Sequence, residues 1–352
     1  MYRVLLNWLG IVLLLPSCSN SIPNISVVCE ENNVGNCIIK WETAPLIKGK
    51  VKVYASTDPN LITEETPVAM ANISDQQLTI ITDNLKRRYY YMMVFDNKYP
   101  VKVATRNINI PGIQNFRDMG GYQSKGNKKL RWGMLYRSGA IDSLGTYSYE
   151  EMRNMGIKTI IDLRSKEELS NDTSIQTKFN VVHIPIATGN IDKLLIAIKK
   201  DKTKCDTINR VIDQWYRILG NHYQQEYKKI FEILLNKNNY PVIIHCSAGR
   251  VRTGIVSALI LNALGVNDDT VMNDYLLSND YYSIPKNISQ YACKLPTNSQ
   301  IAITTLFSAK ERFLNITKNE IERRYGDVNT YLEKGLKIKK ENIQRLRDIL
   351  LE

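Results

Sequence analysis

One segment in the second half of the chain, residues 241–254, constrains the fold more than any other. It reads Pro-Val-Ile-Ile-His-Cys-Ser-Ala-Gly-Arg-Val-Arg-Thr-Gly and continues into an apolar run that ends near Leu264. A short apolar run followed by small and polar residues predicts a buried strand, a tight loop and then a helix that begins near Thr253. Gly249 allows the loop backbone to turn its N–H groups inward. Together with the positive end of the helix dipole, these groups predict a site for a bound anion.

Cys246 and Arg252 determine what this loop can do chemically. Donors that hold an anion also stabilise a thiolate, so the Cys246 thiol is predicted to be partly ionised and nucleophilic at neutral pH. Arg252 can present a planar fork to two phosphoryl oxygens. The segment therefore predicts attack of a thiolate on phosphorus, and a buried structural cysteine beside a helix is the alternative. It lacks the Gly-Lys-Ser/Thr ending of a nucleotide-binding loop, which excludes an ATPase of that type.

The spacing of Cys246, Arg252 and the following Thr253 resembles the active-site loop of the cysteine-dependent protein tyrosine phosphatase superfamily. The resemblance implies that Cys246 is the nucleophile and that Arg252 is the phosphate clamp. It also implies that His245 supports the loop and that the Thr253 hydroxyl stabilises the leaving thiolate. No metal and no cofactor are implied. The phosphate would be bound by the rest of the loop, which comprises Ser247, Ala248, Gly249, Arg250, Val251 and Arg252.

Further segments resemble the blocks of one branch, the secreted bacterial tyrosine phosphatases, at residues 115–121, 135–138, 161–167 and 274–280. Members of that branch act on phosphotyrosine, on phosphoserine or phosphothreonine, or on phosphoinositides. The resemblance covers nearly all of 109–352 and none of 1–108. The charged residues in these blocks could form a network that supports the active-site loop, and separate structural ion pairs are the alternative. The residues concerned are Arg117, Asp118, Asp162 and Arg164.

The sequence departs from the pattern of this branch near the loop. The branch usually has Gly-Lys-Asp-Arg where residues 249–252 read Gly-Arg-Val-Arg, so Arg250 keeps a positive charge and Val251 removes a carboxylate. The branch also tends to have an aspartate on the loop after the strand at 181–185, as general acid for the leaving group. Here no aspartate follows before Asp192, which is therefore the first candidate, with helix capping as the alternative. A weak general acid would favour aryl phosphates, which have the better leaving group.

The residue pattern changes near residue 108, which predicts two domains. From about 24 to 108, short runs of β-branched and aromatic residues alternate with turn formers. This pattern predicts a small all-β sandwich of the immunoglobulin or fibronectin III type over 18–108, with Trp41 in its core. From 109 to 352, apolar strands alternate with amphipathic helical segments. That part predicts an α/β phosphatase domain with a central, largely parallel sheet.

Residues 1–17 predict an export signal of the lipoprotein type. A basic residue precedes an apolar run over 4–15, which is too short to span a membrane. The sequence Leu-Pro-Ser-Cys that ends at Cys18 resembles a bacterial lipobox and implies lipidation of Cys18, with an ordinary cleaved signal as the alternative. We therefore expect an exported, membrane-anchored lipoprotein, periplasmic or at the cell surface. In an oxidising compartment Cys29 and Cys37 could form a disulfide across a turn.

The net charge of +12 lies almost wholly after residue 108. Residues 109–352 contain 36 basic and 26 acidic residues, a net charge of +10, which suits an anionic partner. No aromatic-basic array accompanies this charge, so we expect no nucleic acid as partner.

These observations predict an enzyme that hydrolyses phosphotyrosine-type phosphomonoesters through a phosphocysteine intermediate. Its expected partners are a phosphorylated protein or a phosphoinositide as substrate, and a membrane through the lipid anchor. The first alternative, favoured by Arg250, is a phosphatase of inositol phosphates or phosphoinositides. The second is a degenerate phosphatase that only binds phosphorylated ligands.

Overall fold

A computed structural model of the protein describes residues 22–32, 34–81, 87–170, 174–189, 191–200 and 205–352. The predicted signal 1–17 and the predicted lipidation site Cys18 lie outside the described residues. In the part that is described, no helix is both long enough and apolar enough to cross a membrane.

Within the described residues, seven antiparallel strands form two sheets at the amino-terminal end. Side chains alternate along these strands, and in β2 Ile39 and Trp41 are buried while Lys40 is exposed. Both sheets contribute to one apolar core, in which Trp41 Nε1 donates to Ile73 O at 2.8 Å. The two sheets therefore pack face to face, with orders β1-β2-β5 and β4-β3-β6-β7. The strands are β1 Asn24–Glu31, β2 Cys37–Ala44, β3 Lys50–Ser56, β4 Ala69–Asn72, β5 Gln77–Ile80, β6 Tyr90–Phe95 and β7 Tyr99–Ala104.

Cys29 on β1 and Cys37 on β2 are buried in this core as free thiols. The Cys37 thiol contacts that of Cys29 and, together with burial, raises the pKa of Cys29. The disulfide considered from the sequence is thus not formed in this structure, although the two side chains are neighbours.

The third sheet has the order β11-β10-β12-β9-β8. Its first four strands run parallel and β8 is antiparallel at the edge, which confirms the prediction of a largely parallel sheet. Strand β12 is central, and all four of its residues are buried, as expected for a strand with both faces covered. The strands are β8 Arg117–Asp118, β9 Leu135–Ser138, β10 Thr159–Asp162, β11 Asn180–His183 and β12 Val242–His245.

Helices surround this sheet and make up most of the carboxyl-terminal part. Helix α5 follows β12 directly and is buried on nearly all sides, in keeping with its apolar composition. It begins at Val251, two residues before the position that the sequence predicts. The helices are α1 Thr146–Asn154, α2 Ile191–Lys199, α3 Cys205–Asn221, α4 Gln224–Leu234, α5 Val251–Ala263, α6 Asp268–Leu276, α7 Ser278–Tyr281, α8 Lys286–Ala292, α9 Thr297–Phe307, α10 Glu311–Tyr325, α11 Val328–Thr330 and α12 Lys340–Leu350.

Buried polar contacts join the amino-terminal sheets to the α/β part. Arg88 Nη2 donates to Asp118 Oδ2 at 2.9 Å, and both side chains are almost wholly buried. The hydroxyls of Tyr90 and Tyr136 lie 3.1 Å apart, and Trp132 packs in the same cluster as Tyr90. The interface therefore reaches β8 and β9, two strands of the sheet that carries the predicted site.

Candidate active site

The predicted anion-binding loop, residues 246–250, joins the end of β12 to the start of α5. Gly249 has a φ of +64°, and a Cβ atom there would lie 2.4 Å from the backbone of Ser138. Only glycine combines this backbone conformation with so close an approach. The carboxyl end of a central parallel strand is also where ligands bind in sheets of this kind.

The carbonyl groups of the loop are held away from its centre. Ser247 O accepts from the N–H of Ala140 at 3.1 Å, and Arg250 O accepts from the N–H of Gly254 at 2.9 Å. Ala248 O and Gly249 O are bound by side chains from other parts of the fold. Within the described part of the chain, the N–H groups of 249–252 donate to no other group. These donors remain available for an anion.

Cys246 is buried at the base of the loop, with 2% of its surface exposed. Burial alone would raise the pKa of its thiol. The charge of Arg252, the hydroxyl of Thr253 and the N–H groups of Thr253 and Ala248 outweigh burial, so the pKa lies below its ordinary value. The Thr253 hydroxyl makes no hydrogen bond to oxygen or nitrogen within the described residues. The sequence-predicted set of Cys246, Arg252 and Thr253 is therefore brought together around one sulfur atom.

Glu168, which the sequence analysis did not single out, holds the guanidinium of Arg252. Arg252 Nη1 and Nη2 donate to Glu168 Oε2 and Oε1 at 2.5 and 2.7 Å, and Ser247 Oγ donates to Glu168 Oε1 at 2.6 Å. Burial would raise the pKa of Glu168, but the hydrogen bonds and charge of Arg252 lower it to about 2. Arg252 Nε has no partner among the described residues. The hydrogen bonds to Glu168 fix the orientation of the Arg252 guanidinium and leave its Nε–H available to a ligand.

His245 is buried immediately before the nucleophile position. Burial lowers its pKa to about 4, so the ring is neutral at pH 7. Its Nε2 lies 3.6 Å from Asp162 Oδ2, and Asp162 also pairs with Arg164, whose Nη2 donates at 2.7 Å. Arg164 also pairs with Asp142. His245 thus lies in the packing behind the loop, beside a charge cluster.

The charged residues predicted as one network fall into separate clusters. Asp162 and Arg164 lie behind His245, as described above. Arg117 lies on the other side of the loop, where its Nη2 donates to Asp274 O at 2.7 Å. Asp118 instead faces the amino-terminal sheets and accepts from Arg88 and from the N–H of Gly120. Arg117 and Asp118 are adjacent in the sequence, but neighbouring residues on a strand point to opposite faces. The two side chains therefore belong to different clusters.

Arg250 is buried beside the loop with 2% of its surface exposed. Its Nη2 donates to Leu306 O at 2.7 Å, and its guanidinium lies over the rings of Tyr282 and Phe307. Its Nε and Nη1 have no hydrogen-bond partner among the described residues. A second cationic group with free donors therefore lines the cavity that contains Cys246.

A cavity of about 40 Å³ lies over Cys246. Helices α3 and α9 help to line it, with Trp215 and Leu306 among the lining residues, together with Val251 at the start of α5. A water molecule needs roughly 10–15 Å³ of such volume, so this space holds only a few waters. Helices α2, α3 and α9 therefore form a helical cover over Cys246.

Asp192, the first candidate for the general acid, is exposed in the first turn of α2. Its neighbour Ile191 lines the cavity over Cys246, but Asp192 is not among the lining residues. The structure therefore places Asp192 at the rim of the helical cover, not against the loop. In the described part of the chain, no group of three His, Cys, Asp or Glu residues could hold a metal ion.

Comparison with known proteins assigns the chain to a family. The model of the family described as "Tyrosine phosphatase family" matches residues 108–352. The chain belongs to this family. It is therefore an enzyme of the protein-tyrosine phosphatase class, as the spacing of the loop residues predicts.

Individual relatives agree with this assignment. The triple specificity protein phosphatase PtpB of Mycobacterium tuberculosis is 26% identical over 277 residues, which cover 69% of this chain and 98% of that protein. A Cupriavidus necator protein named in the tyrosine-protein phosphatase class is 25% identical over 232 residues, 64% of this chain and 82% of that protein. Among solved structures, the core catalytic domain of the PP-IP phosphatase SIW14 from S. cerevisiae is 16% identical. The match covers 49% of this chain and 86% of that chain, with a TM-score of 0.29.

Proposed function

We propose that the protein is an exported phosphatase that hydrolyses phosphotyrosine-type phosphomonoesters through a phosphocysteine intermediate. The observation that carries this proposal is the buried Cys246 thiol, whose pKa is lowered by Arg252 and Thr253 at the base of a loop with free N–H donors. A thiolate in such a setting is a nucleophile at neutral pH, and the donors around it match the charge of a transferring phosphoryl group.

The proposed reaction has two steps. In the first, the Cys246 thiolate forms an S–P bond, the ester O–P bond breaks, and the leaving oxygen receives a proton from a general acid. Arg252 and the N–H groups of the loop bind the phosphoryl oxygens. In the second step, a water oxygen bonds to phosphorus and loses a proton to a general base. The S–P bond breaks, and the Thr253 hydroxyl stabilises the thiolate that leaves.

The experiment is hydrolysis of a phosphotyrosine peptide, a phosphoserine peptide, phosphatidylinositol phosphates and inositol hexakisphosphate, with and without vanadate. Cys246→Ser is the test variant, and Cys293→Ser is the control because Cys293 is exposed and distant in sequence. We expect vanadate-sensitive turnover of the tyrosine peptide that is lost in Cys246→Ser and kept in Cys293→Ser. If the wild type hydrolyses none of these substrates and Cys246→Ser only weakens their binding, the protein is a binding module for phosphorylated ligands.

A phosphatase of inositol phosphates or phosphoinositides is the second candidate. It is favoured by Arg250, whose Nε and Nη1 lack partners although the side chain is buried against the cavity. Buried donors without partners are costly, and a second phosphate on the substrate would satisfy them. A preference for inositol hexakisphosphate over the tyrosine peptide that disappears in Arg250→Met would favour this candidate.

Export and anchoring are also proposals, supported by the sequence of residues 1–17 and by Cys18. Labelling with a fatty acid and membrane fractionation of the wild type and Cys18→Ser would test them.

We further propose that 18–108 and 109–352 are separate domains and that the first is of the immunoglobulin or fibronectin III type. Two packed antiparallel sheets of three and four strands support this proposal.

A further inference from the structure

The orientation of the peptide between Ala248 and Gly249 depends on a side chain from outside the loop. A trans peptide points its C=O and N–H in opposite directions. The N–H of Gly249 therefore faces the phosphate position only while Ala248 O points away from it. Asn115 Nδ2 donates to Ala248 O at 3.0 Å and to Gly249 O at 3.0 Å.

These two carbonyls differ in their other partners. Gly249 O also accepts from Arg137 Nη2 at 2.9 Å, so it keeps a donor without Asn115. Within the described residues, Ala248 O accepts a hydrogen bond only from Asn115 Nδ2. Because Gly249 has no Cβ, the peptide before it can rotate more easily than others in the loop. Loss of the Asn115 amide would therefore free the Ala248–Gly249 peptide to turn its oxygen toward the anion.

The amide of Asn115 is itself held in one orientation. Arg117 Nη1 donates to Asn115 Oδ1, and an arginine has only donors, so the oxygen must face Arg117 and the nitrogen must face the loop. The backbone N–H of Asn115 donates to Tyr281 O at 2.7 Å, and the residue is 2% exposed with a φ of 55°. Asparagine is one of the few residues with a side chain that adopts this conformation readily.

We propose that Asn115 is a positioning residue that locks the Ala248–Gly249 peptide with its N–H toward the bound phosphoryl group. Asn115 touches neither the substrate nor the sulfur in this scheme and acts through the loop backbone. The effect of Asn115 on turnover rests on the proposed function, in which the Cys246 thiolate attacks phosphorus. Its geometric part, the orientation of one peptide, can be measured without turnover.

The test variant is Asn115→Gly, which removes the amide while glycine accepts the positive φ. The readouts are the pH profile of Cys246 alkylation by iodoacetamide, followed on the Cys246 peptide by mass spectrometry, and the binding of vanadate. We expect the pKa of Cys246 to rise and vanadate to bind roughly 10- to 100-fold more weakly, because a charge-assisted donor is lost. Asn115→Asp is a second variant of nearly the same shape that replaces the donor with an oxygen, and it should have at least as large an effect.

The matched control is Asn221→Ala, which removes another buried amide, at the carboxyl end of α3, whose nitrogen donates to Glu320 Oε1 of α10 at 2.7 Å. It should lower the melting temperature and leave the alkylation profile and vanadate binding as in the wild type. The inference is overturned if Asn115→Gly and Asn115→Asp also leave both readouts unchanged. If both readouts shift while the wild type hydrolyses no phosphoester, the inference stands and the proposed function fails.

Discussion

At the scale of single residues, the carboxylate of Glu168 determines how Arg252 can act. Glu168 holds both terminal nitrogens of the guanidinium, and its pKa of about 2 keeps it ionised at working pH. Glu168→Gln removes the charge and one acceptor, so the fork loses its fixed direction. We expect kcat/KM for an aryl phosphate to fall roughly 10- to 100-fold, the equivalent of one charge-assisted hydrogen bond. The adjacent and exposed Glu167 provides the control, since Glu167→Gln should leave kcat/KM near the wild-type value.

A second prediction for a single residue concerns the proton given to the leaving group. If Asp192 reaches the site when the helical cover moves, Asp192→Asn should lower turnover of alkyl phosphates by about 100-fold or more and affect aryl phosphates weakly. Asp206→Asn, in the exposed first turn of α3, is the control. Steady-state turnover of both substrate types measures the difference. Equal and small effects on both would reject Asp192 as the acid.

At the scale of secondary-structure elements, Asp274 joins α6 to the sheet. It accepts from Arg137 of β9 and lies 3.4 Å from Arg117 Nε of β8, and Arg137 in turn holds Gly249 O. Burial would raise the pKa of Asp274, but Arg137 and Arg117 lower it from 3.8 to about 2. The carboxylate therefore links the end of the sheet and a helix to the backbone of the active-site loop.

This ion-paired carboxylate predicts how stability depends on pH. A folded-state pKa of about 2 against an ordinary 3.8 means that Asp274 contributes stability above about pH 4, which is lost as the pH falls toward 2. Asp274→Asn should therefore be less stable than the wild type at pH 7, and its free energy of unfolding should change less between pH 4 and 2. Urea unfolding at several pH values measures both slopes. Parallel slopes would contradict this assignment.

The same element scale shows what could be predicted from the sequence. The strand, loop and helix around Cys246 could be predicted because glycine, the apolar run and the loop spacing lie within fourteen consecutive residues. Glu168 and Asn115 could not, because they lie 84 and 133 positions from the loop residues that they bind. Their partners depend on the strand order of the sheet, which local patterns do not encode. Arg117 and Asp118 are adjacent in the sequence but face different parts of the fold, because side chains alternate along a strand.

At the scale of the whole molecule, the amino-terminal sheets and the phosphatase part share a buried charge pair. Asp118 is fully buried and accepts from Arg88 and from the N–H groups of Gly120 and Gly133. Burial raises the pKa of Asp118, and the charge of Arg88 opposes that shift. The amino-terminal part of the chain therefore supplies the positive charge, Arg88, that pairs with the buried Asp118 of β8.

Arg88→Met tests this coupling because methionine keeps much of the apolar stem and removes the charge. An unpaired buried carboxylate should lower the free energy of unfolding by about 3–5 kcal/mol at pH 7, measured by urea unfolding. The loss should shrink as the pH falls through the raised pKa of Asp118, because the protonated carboxyl needs no counter-charge. Asp118→Asn should relieve the same loss when combined with Arg88→Met, which a double-mutant cycle measures.

Lys98→Met, which breaks an exposed pair with Asp96, is the control and should change stability little. An Arg88→Met variant as stable as Lys98→Met would show that the two parts of the chain are not coupled through this pair.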